Sequence, residues 1–328
     1  MVKGEFILQW HIGEACNLRC KHCYQEHHQP VNLKYSELLK ILNQYRTFLK
    51  KKHLKGHINL TGGEPLLNPY FYKLLDEFKK DKDLYTFCVL TNGTLINEEV
   101  AKKIASYNPL YVQVSIEGSK KTNDFIRGKG VLKKTLNAIK YLNKYGIYTS
   151  ISFTANKLNY KDFPKVVRMG ERVKVNRVWA DRFIPLGDSS LLIMNKKEVE
   201  DFFKIMNKER LRLKKKKKIT EVGMTRALQF LETGDTPYHC TAGDTLLTVM
   251  ENGDLVPCRR LPIVCGNLLK KDLLKLYDNP ILKKLREKQI PRDCKLCDYS
   301  KDCRGGLKCL NYALKGKTNI KDIDCYFE

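Results

Sequence analysis

Long apolar runs are missing from this chain of 328 residues. No stretch reaches the roughly 18 apolar residues that a transmembrane helix needs. The opening Met-Val-Lys-Gly-Glu-Phe-Ile-Leu-Gln-Trp has no apolar core followed by a small-residue cleavage site, so no signal peptide is expected. Acidic residues are few: 36 Asp and Glu face 61 Lys and Arg, a formal charge of +25. Internal repeats and low-complexity linkers are also absent. Disorder is excluded from the other side, because 42% hydrophobic and 10% aromatic residues are enough to build a core. These features point to a soluble cytoplasmic protein with no membrane role, either one large domain or a large one plus a small one.

Cysteine, by contrast, is plentiful, with 12 in the chain. In a reducing compartment, clustered thiols are metal ligands or redox groups more often than disulfides. Their placement is uneven. Cys16, Cys20 and Cys23 lie close together near the start, and eight more follow residue 239: Cys240, Cys258, Cys265, Cys294, Cys297, Cys303, Cys309 and Cys325. Cys88 stands alone and reads as a small buried hydrophobe.

Short β-branched stretches at 6–12, 57–61, 85–91, 110–116, 148–154 and 177–184 alternate with helix-period segments at 33–52, 68–82, 96–107, 131–145 and 159–174. In the first helix, Leu33, Leu38, Leu39, Ile41 and Leu42 mark one face. Such alternation calls for an α/β fold with a parallel sheet and right-handed crossovers. Six units suggest a partial, TIM-like (β/α)6 barrel with its site at the strand C-termini. A Lys-rich helical segment (196–218) and a short helix to Gly234 follow. The expected division is 1–234 for the barrel with its helical bridge and 235–328 for a small cysteine-rich domain packed on it.

Cys16-Asn-Leu-Arg-Cys20-Lys-His-Cys23 follows the first strand directly. Three thiolates can hold three irons of a [4Fe–4S] cube and leave the fourth open to a ligand. A zinc knuckle is the rival, with His11, His22, His27 or His28 as a fourth ligand. Here the sequence resembles the radical S-adenosylmethionine (SAM) superfamily, whose signature is C-x3-C-x-Φ-C, with His22 at the usually aromatic Φ position. The resemblance continues at successive strand ends. Thr61-Gly62-Gly63-Glu64-Pro65 looks like the family's GGEP motif, whose backbone receives the SAM amino group; glycines allow that close approach. Leu90-Thr-Asn-Gly93 resembles "TNG". Val114-Ser115-Ile-Glu117-Gly118 resembles "SIDG", with Glu for Asp, and Arg127-Gly128 follows. By this resemblance Ser115 and Arg127 would contact SAM, His22, Gly62, Gly63, Glu64 and Glu117 would belong to the same cofactor-binding set, and Leu186 of Phe183-Ile-Pro-Leu-Gly187 would touch adenine. The likeness spans roughly residues 6–190.

The tail reads Cys240-x12-Gly253-x4-Cys258, then Cys294-x2-Cys297-x5-Cys303, then Cys309 and Cys325. It resembles the SPASM extension of radical SAM enzymes, whose seven cysteines carry auxiliary [4Fe–4S] clusters. By position, Cys240, Cys258 and Cys309 would hold one cluster, and Cys294, Cys297, Cys303 and Cys325 a second. The family places a cysteine where this chain has Leu307, and Cys309 comes two residues later. A fourth ligand for the first auxiliary cluster could be Cys265, His239 or none, leaving an open iron. Zinc ribbons are the alternative for the same spacing.

The resemblance implies an oxidoreductase that cleaves SAM reductively to a 5′-deoxyadenosyl radical and takes hydrogen from its substrate. The SPASM likeness implies a peptide or protein substrate. A reductase, flavodoxin or ferredoxin would supply the electron. Modification of a small molecule, or a non-catalytic electron-transfer role, remains open. In sulfatase-maturing relatives an aspartate base follows the second SPASM cysteine; here Arg259 and Arg260 follow Cys258, which argues against that activity. No separate peptide-binding domain precedes Cys16, so a leader would have to bind the barrel, the tail or a partner. The positive charge fits an acidic peptide partner, or lysine enrichment of the thermophile kind. Nucleic acid is disfavoured, since no RNA-binding module occurs.

Overall fold

The computed structural model describes residues 5–25, 28–29, 33–185, 190–287 and 289–327. Six strands alternate with helices: β1 (Glu5–His11), α1 (Tyr35–Lys52), β2 (Lys55–Thr61), α2 (Phe71–Lys79), β3 (Tyr85–Thr91), α3 (Glu98–Ala105), β4 (Tyr111–Ser115), α4 (Lys120–Arg127), α5 (Val131–Lys144), β5 (Thr149–Ala155), α6 (Phe163–Arg172) and β6 (Arg177–Arg182). All six strands are parallel and paired in chain order. Alternation explains the packing. Phe6, Leu8 and Trp10 of β1 point outward and are buried with the helix residues Leu38, Ile41, Tyr45 and Phe48. Residues of the opposite parity face inward, and there the wall is polar. Trp179 Nε1 on β6 donates to Gln113 Oε1 on β4 at 2.8 Å, across the intervening β5, so the sheet is concave on this side.

The sheet continues past the sixth unit. α7 (Lys196–Lys215) buries Val199, Phe202, Phe203 and Met206. Its end and the following turn carry Lys214–Lys218, all exposed; cations there complement the helix dipole. β7 (Glu221–Gly223) pairs with β6, and α8 (Phe230–Thr233) ends at Gly234. The tail then adds β8 (Leu246–Val249) beside β1, in parallel, followed by β9 (Asp254–Val256) and β10 (Gly266–Asn267). The tail therefore shares the barrel's hydrogen-bonded sheet as well as packing on it. α9 (Leu273–Tyr277), α10 (Pro280–Arg286), α11 (Ser300–Cys303) and α12 (Lys308–Lys315) complete the chain. Although β9 and β6 lie far apart in strand order, Arg260 just beyond β9 reaches Asp181 on β6 at 2.8 Å. The ten strands thus curl into an open barrel. No helix among the described residues is long and apolar enough to cross a membrane.

Candidate functional site

The loop after β1 carries Cys16, Cys20 and Cys23 to the C-terminal rim of the barrel. It is laid against the end of β2. Ile12 N donates to Thr61 O (3.0 Å), Gly63 N to Gly13 O (2.9 Å) and Glu64 N to Ala15 O (2.8 Å). A Cβ at Gly62 or Gly63 would press into the carbonyl oxygens of Gly13, Glu14 or Ala15. The glycine pair is thus required by the close approach of the cysteine loop itself. Cys16 and Cys20 are half-buried and Cys23 is exposed. Backbone amides point at two of the sulfurs, Leu18 N to Cys16 Sγ at 3.5 Å and Gln25 N to Cys23 Sγ at 3.4 Å. Burial pushes the Cys20 thiol up to about 11; Arg127 opposes this, while Cys23 and Cys16 add to it. Three neighbouring thiolates therefore need positive charge among them, which a metal group supplies.

Two buried carboxylates brace the rim. Glu64 accepts from Thr91 Oγ1 (2.7 Å) and from the amides of Asn92 (2.8 Å) and Leu66 (3.3 Å), tying the β2 end to the β3 end. Glu117 accepts from Arg127 Nη1 (3.0 Å), His22 Nε2 (3.2 Å) and Thr154 N (2.8 Å). Burial works against its charge, yet His22, Arg127 and the Thr154 amide hold its carboxyl below the usual range. Glu117 thereby links the cysteine loop, α4 and β5. Lys21 N adds a bond to Ile126 O (2.9 Å). Around this carboxylate, His22 Nδ1, Asn123 Nδ2 and Arg127 Nε are buried without a partner. Orphaned polar atoms at one spot are what a polar ligand would satisfy. Ser115 stays on the concave face, where Ser152 Oγ lies 3.3 Å from its hydroxyl. Leu186 and His27 lie outside the described residues.

The tail thiols form two further groups. Burial raises the pKa of Cys240 and pushes that of Cys309 up further; Cys258 adds to the rise at both, and Cys240 adds to it at Cys309. Cys309 sits in the first turn of α12, next to Leu307, which caps that helix. Leu307 is buried in the apolar cluster that also holds Cys258, Cys309 and Leu310. The turn before it uses Gly306 at φ +74°, where an added Cβ would run into the Asp322 carboxylate. Cys265 stands apart: it belongs to the barrel core, and burial alone pushes its thiol up to about 11. His239 stacks on Tyr238. Cys294, Cys297, Cys303 and Cys325 line one small pocket with Leu228, Phe230, Tyr299 and Phe327. Cys303 is pushed up to about 11, first by burial.

Among the described residues no three of these side chains converge tightly enough for a single metal ion. A zinc knuckle draws its ligands to one point, whereas an iron–sulfur cube spreads its thiolates over its corners. A clamp joins the last group to the barrel: Arg182 at the end of β6 holds Asp322 (both contacts 2.7 Å) and Asp324 (2.8 Å), all three buried. Cys88 is buried on the concave face and donates to Asn59 Oδ1 at 2.9 Å. Asn123, Asp322 and Arg182 carry no motif, and sequence reading passed over them.

Known proteins resemble this chain along its whole length. A model of the radical SAM superfamily matches residues 10–170, and one of the SPASM iron–sulfur cluster-binding domain matches residues 240–304. An AdoMet-dependent heme synthase of Methanosarcina barkeri is 24% identical over 100% of this chain and 98% of its own. The antilisterial bacteriocin subtilosin biosynthesis protein AlbA of Bacillus subtilis is 26% identical over 97% of this chain and 70% of its own. Among solved structures, Streptococcus suis SuiB bound to S-adenosylmethionine superposes with a TM-score of 0.79 at 19% identity, over 99% of this chain and 78% of that one. SuiB is also known bound to its precursor peptide SuiA. At such identity the likeness speaks for the fold.

Proposed function

Since the chain belongs to the radical SAM superfamily and carries a SPASM iron–sulfur domain, we propose that it modifies a peptide or protein substrate held in the concave face of the barrel. It is an enzyme, and its cofactors are S-adenosylmethionine and [4Fe–4S] clusters. Bound there, cluster and SAM supply reductive cleavage to a 5′-deoxyadenosyl radical able to take a hydrogen atom from the substrate.

In this reading Cys16, Cys20 and Cys23 hold the SAM-binding cluster. Cys240, Cys258 and Cys309 hold one auxiliary cluster, and Cys294, Cys297, Cys303 and Cys325 the other. The backbone of Gly62, Gly63 and Glu64 meets the SAM amino group, and Ser115 and Arg127 lie beside it. Glu117 belongs to the same cofactor-binding set; it fixes His22 and Arg127 and so positions the SAM site. Glu64 holds the β2 and β3 ends in register in the same way. A reductase, flavodoxin or ferredoxin supplies the electron.

The observation that carries the peptide reading is the polar inner wall. Gln9, Asn59, Gln113, Ser115, Ser152 and Thr154 share it. Amides and hydroxyls suit the repeated N–H and C=O groups of a peptide, which must find partners when buried. A flat apolar macrocycle would leave them unpaired. The relatives divide, however, since a heme synthase matches the chain as fully as a peptide-modifying enzyme does. The test is direct. Anaerobically reconstituted protein receives dithionite, SAM and either a short peptide encoded beside its gene or iron-coproporphyrin III. Deoxyadenosine formed in step with a mass change in the peptide is the expected result. Deoxyadenosine coupled only to loss of carboxyl groups from the porphyrin would overturn the proposal.

A further inference from the structure

Four arginines stand at the upper rim with buried guanidinium atoms, and three of them are matched by carboxylates. Arg127 holds Glu117, Arg182 holds Asp322 and Asp324, and Arg260 holds Asp181. Arg259 is the exception. Its guanidinium lies over the Tyr24 ring, 4.3 Å from the centroid, and Nη2 makes one long contact with Tyr24 O at 3.5 Å. Its Nε is buried without a partner, and no carboxylate among the described residues lies within ion-pair distance. The position is particular: Arg259 follows Cys258, and Tyr24 follows Cys23. The unmatched charge therefore bridges the front cysteine loop and the first tail group.

A second orphan lies beside it. His11 ends β1 on the same inward parity as Gln9, and its Nε2 is also buried without a partner. Burial, and then the charge of Arg259, keep this imidazole neutral by driving its pKa well below the usual value. A neutral imidazole can donate one hydrogen bond without adding charge. The pair thus offers one positive charge and buried donors in a partly desolvated place, where an unpaired guanidinium is costly. A singly charged, planar acceptor is the match, because guanidinium and carboxylate fit edge to edge. A phosphate dianion would call for a second free cation, and Arg260 is already neutralised by Asp181.

We propose that Arg259, with His11 beside it, receives a carboxylate of the substrate between the front cysteine site and the first tail site. The inference rests on the assignment of the concave face as the substrate site. Two sources share this chemistry, an acidic residue of a peptide and a propionate of a tetrapyrrole.

The experiment uses reconstituted full-length protein with SAM and two matched probe pairs. One pair is a short labelled peptide with a central Glu and its Gln twin; the other is iron-coproporphyrin III and its tetramethyl ester. In at least one pair, wild-type protein should bind the acid about tenfold more tightly, the range of one charge-assisted hydrogen bond. Arg259→Gln should erase that preference, and Arg259→Lys should restore part of it. An undiminished preference in Arg259→Gln, or none in wild type for either pair, overturns the inference. So does a variant that keeps the preference but loses SAM affinity or shifts the potential of a tail cluster, since Arg259 would then serve the cofactors. Acid preference confined to the porphyrin pair supports the role of Arg259 and counts against the peptide reading. Peptide turnover without acid preference does the reverse.

Discussion

The front cysteine loop and the tail cysteines are built from the same residue in opposite surroundings. Cys16 and Cys20 are half-buried and Cys23 is exposed, on a loop held by backbone bonds to the β2 end and to α4. In the tail, Cys240, Cys297 and Cys325 are half-buried, but Cys258, Cys294, Cys303 and Cys309 are buried, with Cys303 in the main apolar core and Cys258 and Cys309 in a smaller one. Orphaned polar atoms gather at the front, around Glu117. On the proposed ligand assignment, the difference teaches that the same chemistry would serve two ends. At the front, thiols on an accessible loop leave room for a small molecule beside a braced carboxylate. In the tail, they substitute for core packing in a segment whose helices are only four to eight residues long. Such short helices depend on tertiary support.

The comparison breaks most sharply if the front thiols are removed. Replacing Cys16, Cys20 and Cys23 together by Ala should reduce deoxyadenosine formation below detection and remove about a third of the iron. The melting temperature should move little, because the loop contributes little to the core. Chromatography of the reduced reaction and an iron assay check both halves.

Removing Cys303 or Cys294 should act in the opposite sense. About one cluster's iron is lost, and the melting temperature falls by about 5–10 °C, since ligand binding and folding are coupled in such segments. A scan followed by circular dichroism measures it. An unchanged iron content together with an unchanged melting temperature would make these thiols ordinary core residues.

The clamp between the regions comes next. Arg182→Met leaves Asp322 and Asp324 buried without a counter-charge, which should cost about 3–5 kcal/mol in urea unfolding. The pocket of Cys325 should suffer first, because Asp322 and Asp324 precede it directly.

The smallest effect sharpens the tail assignment. Cys265→Ser should keep the full iron content and cost about 1–2 kcal/mol for burying a hydroxyl. Cys309→Ser should lose about one cluster's iron. Full iron in Cys309→Ser would exclude Cys309 as a ligand.

Much of this was legible from the sequence. The strand expected at 85–91 is Tyr85–Thr91, and the others shift by only one or two residues. Long periodic segments announce themselves because one face must be buried. α4 was missed, since Lys120–Arg127 shows little apolar periodicity and Phe125 is exposed. β7 to β10 were missed because strands of two to four residues are too short to carry a pattern. Their partners β6 and β1 define them. The cysteine groups follow from spacing, but spacing alone left Cys265 and Cys309 as rivals. The fold places Cys265 in the barrel core and Cys309 beside Cys258, which favours Cys309 in the proposed assignment. Glu64, Glu117 and Arg182 carry roles that sequence could not assign, because each acts by linking elements distant in the chain.

The claim that the front site alone receives SAM is tested most directly by electron paramagnetic resonance of the reduced protein with and without SAM. Wild-type protein should show one cluster signal that changes on adding SAM and others that do not. In the Cys16, Cys20 and Cys23 triple Ala variant, the remaining tail signals should be identical with and without SAM. A tail signal that still shifts with SAM in that variant would contradict the account.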